Sequence, residues 1–210
     1  MTPRTAERRQ ALRVALIDAA ERAIAAEGLV GLNARDLAGE VGCALGAIYN
    51  VFPDLDHIVY EVNSRTLAAF EAVLAARPQP SSARRGRKEA IADLVDLAEA
   101  YLDFAAANQP RWRALFEHHQ SNPEADLPKW YLAQQRRMFD LVEQPLTILR
   151  PNLNDEARML FARTMFSAVH GIVILGLDEK LMSLSARVLS GQVRTLVDTL
   201  GRGLAARSSA

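Results

Sequence analysis

The sequence predicts an all-α protein of about nine helices, on three observations. Alanine, leucine, arginine and glutamate dominate the composition, and these residues favour helices. The period-two alternation of β-branched residues that marks strands is almost absent. Apolar residues instead recur at helical spacing, in runs separated by glycine, proline and asparagine. The predicted helices cover about residues 5–27, 33–42, 45–51, 54–76, 88–107, 110–119, 128–149, 155–177 and 184–204.

The ends of several predicted helices are set by residues with strong positional preferences. Gly28 follows the first helix and tolerates the left-handed backbone of a helix C-terminus. Asn33 is a good N-cap for the second helix, with Asp36 three residues later in the manner of a capping box. Gly42 ends that helix, and Pro110 fits the first turn of the sixth.

Proline, serine and charged residues interrupt the helical periodicity at two places and so predict loops. These are residues 77–88 (RPQPSSARRGRK) and 120–128 (QSNPEADLP). The tail at residues 205–210 is expected to fray.

The balance of charge restricts the partners that the chain can bind. With 25 basic and 25 acidic side chains, it can bind nucleic acid only through a local basic patch. The single cysteine, Cys43, excludes an internal disulfide framework and a multi-cysteine zinc site. The cysteine count fits a reducing compartment and the N-terminus lacks an apolar signal core, so we expect a cytoplasmic protein.

One stretch, residues 159–177, has the length and apolarity of a membrane span. It contains Arg163 and His170, and no second such stretch occurs in the sequence. We therefore interpret it as a buried helix of a soluble bundle and expect no membrane partner.

Residues 33–53 (NARDLAGEVGCALGAIYNVFP) predict a helix-turn-helix. Two short helices meet at Gly42, where the sharp reversal of the chain needs a small residue. This arrangement lets the second helix enter a DNA major groove while the first crosses the backbone. A plain helical hairpin inside a bundle is the alternative, because it would also place a glycine between two short helices.

The same segment resembles the TetR family of transcriptional regulators, whose pattern here is roughly T-x-R-x-I-A-x-x-A-G-V-S-x-G-T-L-Y-x-H-F-P-S-K-E-x-L. The spacing holds without a gap, and the motif covers about a quarter of the chain. The residues at matching places are Asn33, Arg35, Leu37, Ala38, Gly42, Cys43, Gly46, Ile48, Tyr49, Phe52, Pro53, Asp56 and Ile58.

The resemblance assigns roles to these positions. Leu37, Val41, Ile48 and Phe52 are expected in the core, with Cys43 as a packed thiol. The expected DNA-facing residues are Arg4, Arg9, Asn33, Arg35, Ala44, Leu45, Gly46, Ala47, Tyr49 and Asn50. Among these, Arg35 would reach a phosphate or a base edge, Tyr49 would donate a hydrogen bond to a phosphate, and Asn50 would reach a base edge or a phosphate. Arg4 and Arg9 would add salt-dependent contacts. The start of the fourth helix, near Asp54, is expected to face a phosphate through its dipole.

Several of these positions depart from the family pattern. Ala44, Ala47, Val51 and Leu55 stand where relatives often have serine, threonine, histidine and lysine, and Leu45 replaces a commonly polar residue. Two interpretations stay open. The operator is recognised largely by van der Waals contact and shape, including thymine methyl groups, or DNA binding is weak and the fold partly repurposed. We favour the first.

The last two predicted helices carry heptad-like apolar seams typical of a four-helix dimer interface. Burial within the protomer is the alternative, and we expect each helix to do some of both. The resemblance implies a homodimer, which a palindromic operator also requires. The predicted interface residues are Phe161, Met165, Ala168, Ile172, Leu175, Leu189, Val193, Leu196 and Leu200.

Aromatic residues of the C-terminal helices are candidates for the lining of an apolar ligand cavity, with simple core packing as the alternative for each. Val169-His170-Gly171 stands where one subgroup of the family has a Trp-His-Gly-like signature, without the tryptophan. For His170 we favour a core histidine over a ligand contact or a metal ligand. The candidate ligand-binding residues are Trp112, Phe116, Trp130, Tyr131, Phe139, Phe166 and His170.

The sequence contains no constellation that predicts catalysis, a metal or a cofactor. His118 and His119 are adjacent and point about 100° apart on a helix, so they do not easily share a metal. No nucleophile–base set or glycine-rich phosphate loop is present, and an enzyme is therefore disfavoured.

Together these features predict an N-terminal three-helix helix-turn-helix DNA-binding domain at residues 1–54 and a C-terminal helical bundle for ligand sensing and dimerisation at 55–210. We expect a repressor that a small apolar effector releases from a palindromic operator. The alternative is a helical dimeric ligand-binding or interaction module with weakened or lost DNA binding.

Overall fold

The computed structural model describes residues 3–77, 86–121, 126–178 and 184–207, and within them every regular element is helical. The prediction of an all-α fold is confirmed. A short 3-10 turn at Gly28–Gly31 joins the first two helices. The helices are α1 (Pro3–Glu27), α2 (Ala34–Val41), α3 (Leu45–Tyr49), α4 (Leu55–Ala75), α5 (Arg87–Ala107), α6 (Gln109–Glu117), α7 (Lys129–Leu149), α8 (Asp155–Leu177) and α9 (Ala186–Arg207).

Parts of three predictions lie outside the described residues. These are most of the predicted loop at 77–88, the middle of the predicted loop at 120–128, and the last three residues of the tail that was expected to fray.

The predicted helix ends around the helix-turn-helix are confirmed. Gly28 and Gly42 have φ of +72° and +73°, the left-handed conformation that glycine adopts without a Cβ penalty. Asn33 Oδ1 accepts a hydrogen bond from the Asp36 N–H at 2.9 Å, which satisfies one of the free donors at the start of α2. These caps fix where α2 begins and ends, and so fix the turn that leads into α3.

Several predicted helix boundaries are displaced by two or three residues. α6, for example, ends at Glu117, so His118 and His119 lie outside the helix on which they were predicted. α3 ends at Tyr49 instead of residue 51, because the Val51 and Phe52 N–H groups both donate to the Ile48 carbonyl at 2.9 Å in a tight turn. That turn places both side chains in the core. α9 begins at Ala186, two residues later than predicted, and continues to Arg207.

The chain divides into two compact units. The N-terminal unit comprises Met1–Ala69 and Asn108–Tyr131, and the C-terminal unit comprises Phe70–Ala107 and Leu132–Ala210. This division by contacts does not coincide with the predicted functional boundary after residue 54, because α6 packs against α1 and joins the N-terminal unit. The functional boundary stays a prediction.

The N-terminal unit has a continuous apolar core to which α1, α2, α3, α4 and α6 all contribute. Leu37, Ile48 and Phe52 are buried as predicted, while Val41 and Cys43 are half-buried and pack against this core. The largest fully buried side chains of the unit outside the helix-turn-helix are Trp112, Leu16, Ile24, Ile58 and Val62.

Arginine–carboxylate pairs also connect the helices of this unit. Arg65 Nη1 lies 2.6 Å from Asp18 Oδ1 and 2.7 Å from Glu21 Oε2, which connects α4 to α1. Arg111 Nη2 lies 2.9 Å from Glu21 Oε1, which connects α6 to the same helix. Arg13 of α1 pairs with Glu61 of α4 and lies over the ring of Phe52, 4.4 Å from its centroid.

In the C-terminal unit, α9 packs along α5 and α8. Gly201 of α9 is buried, and a Cβ at that position would lie 2.9 Å from Ile91 Cγ1, so α5 and α9 approach closely because the residue is glycine. Glu99 of α5 pairs with Arg194 of α9, with Oε2 and Nη2 separated by 2.6 Å. Small residues and one ion pair thus set the distance between these two helices.

Candidate functional site

The exposed side of α3 is the first candidate site. Ile48 is fully buried and anchors the helix, whereas Leu45 is 42% and Tyr49 51% exposed. We call this side the reading surface, and its residues are Ala44, Leu45, Gly46, Ala47, Tyr49 and Asn50, of which all but the half-buried Ala47 are exposed. The structure therefore brings six of the ten predicted DNA-facing residues together on one short helix and its two flanking residues.

Asn33 has the N-cap role that the sequence predicted for it. Its Oδ1 accepts the Asp36 N–H, and its Nδ2 donates to the Asp36 carboxylate, so both polar side-chain atoms make contacts at the start of α2. Asn33 therefore orients α2, and its contact with DNA stays a prediction. Arg35, the second residue of the same helix, is exposed.

The reading surface carries no charge. Residues 42–53 contain no lysine, arginine, aspartate, glutamate or histidine. The exposed cations of the N-terminal unit that the sequence predicted as DNA contacts are Arg4 and Arg9 on α1 and Arg35 on α2. The exposed cations and the uncharged reading surface thus lie on different helices.

The start of α4 does not offer the phosphate site that the sequence predicted. Asp54 Oδ1 accepts the His57 N–H at 2.9 Å and also lies 2.7 Å from His57 Nδ1. Asp56 adds a second carboxylate to the first turn. The helix dipole is therefore already balanced by two anions, which would repel a phosphate.

Asp56 is the centre of a polar cluster that the sequence did not predict. His118 Nε2 lies 2.9 Å from Asp56 Oδ1, and the Ser121 N–H donates to Asp56 Oδ2 at 2.8 Å. Burial by itself raises the pKa of Asp56, but the hydrogen bonds from Ser121 and His118 outweigh it and hold the pKa below its usual value. The cluster fastens the chain after α6 to the first turn of α4.

The predicted ligand-binding residues do not form one set. Trp112, Phe116, Trp130 and Tyr131 lie in the N-terminal unit, while Phe139, Phe166 and His170 lie in the C-terminal unit. Trp112 and Tyr131 are buried, which supports the core-packing alternative for these two, whereas Phe116 and Trp130 are 38% and 45% exposed. The sequence missed this division because α6 belongs to the N-terminal unit.

In the C-terminal unit, His170 is part of an aromatic cluster. Its ring stacks on Phe166 with centroids 5.6 Å apart, and its Nδ1 lies 2.8 Å from the Tyr101 hydroxyl oxygen. Phe139 contacts Phe166 edge to face at 5.5 Å. Burial lowers the pKa of His170 and favours the neutral imidazole. Tyr101 was not predicted as a site residue, because the sequence shows only that it is aromatic and lies in a predicted helix.

No metal centre is found among the described residues. Within residues 3–77, 86–121, 126–178 and 184–207, no group of three or more histidine, cysteine, aspartate or glutamate side chains could hold a metal ion. The hydrogen bond and stacking of His170 match the core-histidine interpretation.

The predicted dimer residues separate into two groups. Met165, Leu189 and Val193 are buried within the protomer, so they belong to its core and not to a free surface. The most apolar seam of α8 and α9 is used inside the protomer, since α9 packs against α5 and α8. The remaining predicted residues are Phe161, Ala168, Ile172, Leu196 and Leu200, which are half-buried, and Leu175, which is 39% exposed.

Each of the last two helices leaves an uncharged stripe outside this core. We call these the outer stripes, and they consist of Leu160, Thr164, Ser167, Gly171 and Leu175 on α8 and Val188, Gln192, Thr195 and Thr199 on α9. Leu160 is 64% and Val188 47% exposed. Among the described helices α8 is the one long and apolar enough to cross a membrane by length and composition, and 22% of its apolar window is buried.

Comparison with known families gives one match. Residues 94–200, just over half of the chain, match the family model described as "Tetracyclin repressor-like, C-terminal domain". No curated protein matches the chain at a significant level.

Solved structures share the fold at low sequence identity. A protein with unknown function from Rhodococcus sp. RHA1 is 24% identical with a TM-score of 0.67, over 92% of this chain and 95% of that one. A TetR-family transcriptional regulator from Bordetella parapertussis 12822 is 18% identical with a TM-score of 0.55, over 88% and 93%. The multidrug binding protein EbrR, complexed with imidazole, is 19% identical with a TM-score of 0.56, over 88% and 93%.

Proposed function

Because the chain belongs to the TetR family of transcriptional regulators, we propose that it is a cytoplasmic, homodimeric repressor that a small molecule releases from a palindromic operator. The observation that carries the DNA-binding part is the reading surface. A helix of five residues, held by the buried Ile48, exposes its other side chains between two turns. That is the form in which a recognition helix enters a major groove.

The surrounding groups support the same function. Arg4, Arg9 and Arg35 are exposed in the N-terminal unit and can neutralise phosphates, although the chain as a whole has no net charge. The described residues hold no metal-binding group, and the sequence holds no nucleophile–base set, so we propose no enzymatic activity.

The outer stripes support a homodimer. They lie on helices of 23 and 22 residues, carry no charged side chain, and include leucine and valine at 64% and 47% exposure. An uncharged surface of this length is stabilised by a matching surface, and a two-fold axis supplies one. Two reading surfaces related by that axis would recognise a palindrome.

The aromatic cluster of the C-terminal unit supports an apolar effector. Phe139, Phe166 and His170 join aromatic faces to one neutral imidazole, a composition typical of a small-molecule site. Imidazole binding and multidrug binding by EbrR, which shares the fold, agree with a ligand of this class. An effector that prefers one conformation of the dimer shifts the population away from the DNA-binding one.

Gly46 gives a sharp test of the DNA-binding function. A Cβ at Gly46 would meet nothing within 4 Å in the described part of the chain, and Gly46 lies inside α3. Gly46→Ala should therefore leave the fold intact, and its better helix propensity adds up to about 1 kcal/mol of stability. On DNA the extra methyl group holds the helix away from the bases, so we expect at least a tenfold loss of affinity for DNA upstream of the gene.

Gly39→Ala is the matched control. Gly39 lies inside α2, is exposed, and has the same open surroundings, but it is outside the predicted DNA-facing set. Fluorescence anisotropy should show near wild-type affinity for Gly39→Ala and weak binding for Gly46→Ala. Equal affinities of both variants and the wild type would show that α3 does not approach DNA.

A further inference from the structure

The reading surface offers a small and particular set of chemical groups. Residues 42–53 contain no charged side chain, no glutamine, no serine and no threonine. Tyr49 contributes a hydroxyl and Asn50 one amide, both on exposed residues. Cys43 is half-buried against the apolar core. Everything else that faces outward is apolar.

This set fits some base pairs and not others. Guanine is read in the major groove by arginine or lysine at O6 and N7, and cytosine by a carboxylate at its N4 amino group. Neither kind of side chain is present between residues 42 and 53. Adenine is read by asparagine or glutamine, and thymine presents a methyl group to apolar side chains. The reading surface therefore matches A·T pairs.

Leu45 is the residue best placed for a thymine methyl. It is the first residue of α3 and is 42% exposed, and the N-terminal residues of a recognition helix are the ones that reach base edges. Gly46 follows it with no side chain and open space around it, so the helix can approach the floor of the groove closely. Ala44, also exposed, precedes it and extends the apolar surface.

We infer that Leu45 is a specificity-determining residue that packs on thymine 5-methyl groups, so that the centre of each operator half-site consists of A·T pairs. The inference rests on the proposed DNA-binding function. Arg35 lies on α2 and outside the reading surface, so the inference concerns only the bases that α3 meets. The specificity of this regulator thus depends on apolar contact, with Asn50 as the one amide available for adenine.

Selection followed by uracil substitution tests this directly. The full-length dimer selects binding sites from a randomised duplex library at low salt, and each thymine of the selected half-site is then replaced by deoxyuridine. The replacement removes one methyl group and leaves base pairing intact. Burial of one methyl corresponds to about a fourfold change in affinity, or about fifteenfold when both symmetric positions are replaced.

Two variants assign the effect to Leu45. Leu45→Ala should bind the thymine and deoxyuridine duplexes equally, because the side chain that senses the methyl is gone. Leu132→Ala, at a 45% exposed leucine of α7, removes the same atoms away from the reading surface and should keep the wild-type ratio. Circular dichroism of both variants should match the wild type, since both leucines are largely exposed.

Different outcomes would contradict the inference about Leu45 and the proposed DNA-binding function on which it rests. Selected half-sites with G·C centres, or equal binding of thymine and deoxyuridine duplexes by the wild type, would overturn the inference while DNA binding stands. Retained thymine preference in Leu45→Ala would also overturn it. Failure to bind any duplex of the library would instead contradict the proposed function.

Discussion

The two compact units of this chain solve the packing of helices in different ways. In the N-terminal unit, caps fix the short α2, and arginine–carboxylate pairs join the longer α1 and α4, such as those of Arg65 with Asp18 and Glu21. In the C-terminal unit, long helices pack through glycine and aromatic contacts, such as Gly201 against Ile91. Directional contacts therefore supplement the apolar core of the first unit, and close apolar contacts hold most of the second.

This difference in helix packing explains which sides of the helices each unit leaves exposed. The five-residue α3 has too little area to bury on both sides, so its reading surface stays exposed and small. Helices α8 and α9 are more than four times longer, and each satisfies its core contacts on one side while leaving an outer stripe. Under the proposed function, the small surface would enter a groove of DNA and the long stripes would meet a second copy of the chain.

The largest expected effect comes from charge on an outer stripe. Leu160→Glu places a carboxylate at a 64% exposed position, which α8 tolerates because glutamate is a good helix former. In a two-fold dimer the charge occurs twice within an uncharged interface, so we expect dimerisation to weaken about 100-fold. Analytical ultracentrifugation measures the dimer dissociation constant.

Leu132→Glu is the matched control for this experiment. Leu132 is 45% exposed on α7 and belongs to neither outer stripe, so the same substitution there should leave the dimer intact. A dimer of Leu160→Glu as tight as that of the control would show that the outer stripe of α8 is not the interface.

An intermediate effect is expected at Asp56, where the N-terminal unit depends on hydrogen bonds to a charged group. Asp56→Asn weakens the contacts from His118 and Ser121 and should cost about 2 kcal/mol of unfolding free energy at neutral pH. Urea unfolding measures this change in unfolding free energy. The control is Asp103→Asn, at an exposed aspartate of α5, which should change the unfolding free energy little.

The pH dependence of the unfolding free energy tests whether the charged Asp56 carboxylate provides this stabilisation. The folded-state pKa of Asp56 lies below the ordinary value of 3.8, so its stabilisation is fully present above about pH 4. It is lost as the pH falls through the lowered pKa, and the stability difference between wild type and Asp56→Asn should shrink towards zero in acid. A difference that is independent of pH would show that the carboxylate charge is not what stabilises the cluster.

The smallest expected effect is a gain at the start of α3. Ala44 occupies the N-cap with extended backbone and makes no side-chain cap, in contrast to Asn33 at the start of α2. Ala44→Ser should add the missing cap and raise the unfolding free energy by about 0.5–1 kcal/mol. Ala47→Ser, inside the same helix, offers no cap and should not stabilise, and a gain of equal size there in thermal unfolding would contradict this explanation.

Much of the N-terminal unit could be predicted from the sequence, because it depends on interactions between residues that are close together in the chain. Gly28, Asn33 and Gly42 act through the backbone of their own turns, and such effects depend on neighbours in sequence. The helix-turn-helix motif also identified Leu37, Ile48 and Phe52 correctly as core residues, because its pattern fixes which positions face inward.

Long-range packing explains most of what the sequence did not reveal. Met165, Leu189 and Val193 form a seam that suits a dimer, but only the position of α5 shows that the seam is already covered. The contact of Asp56 with His118 joins residues 62 positions apart. In both cases the relevant partner is a helix that local periodicity cannot place.

The most direct test of the central claim, that this chain binds DNA through its N-terminal unit, is fluorescence anisotropy of the duplex upstream of its gene across a salt series. If Arg4, Arg9 and Arg35 of both protomers each neutralise one phosphate, the logarithm of the association constant should fall with the logarithm of salt with a slope of about −5. Absence of salt-dependent binding at low salt, to this duplex or to any genomic fragment, would contradict the claim.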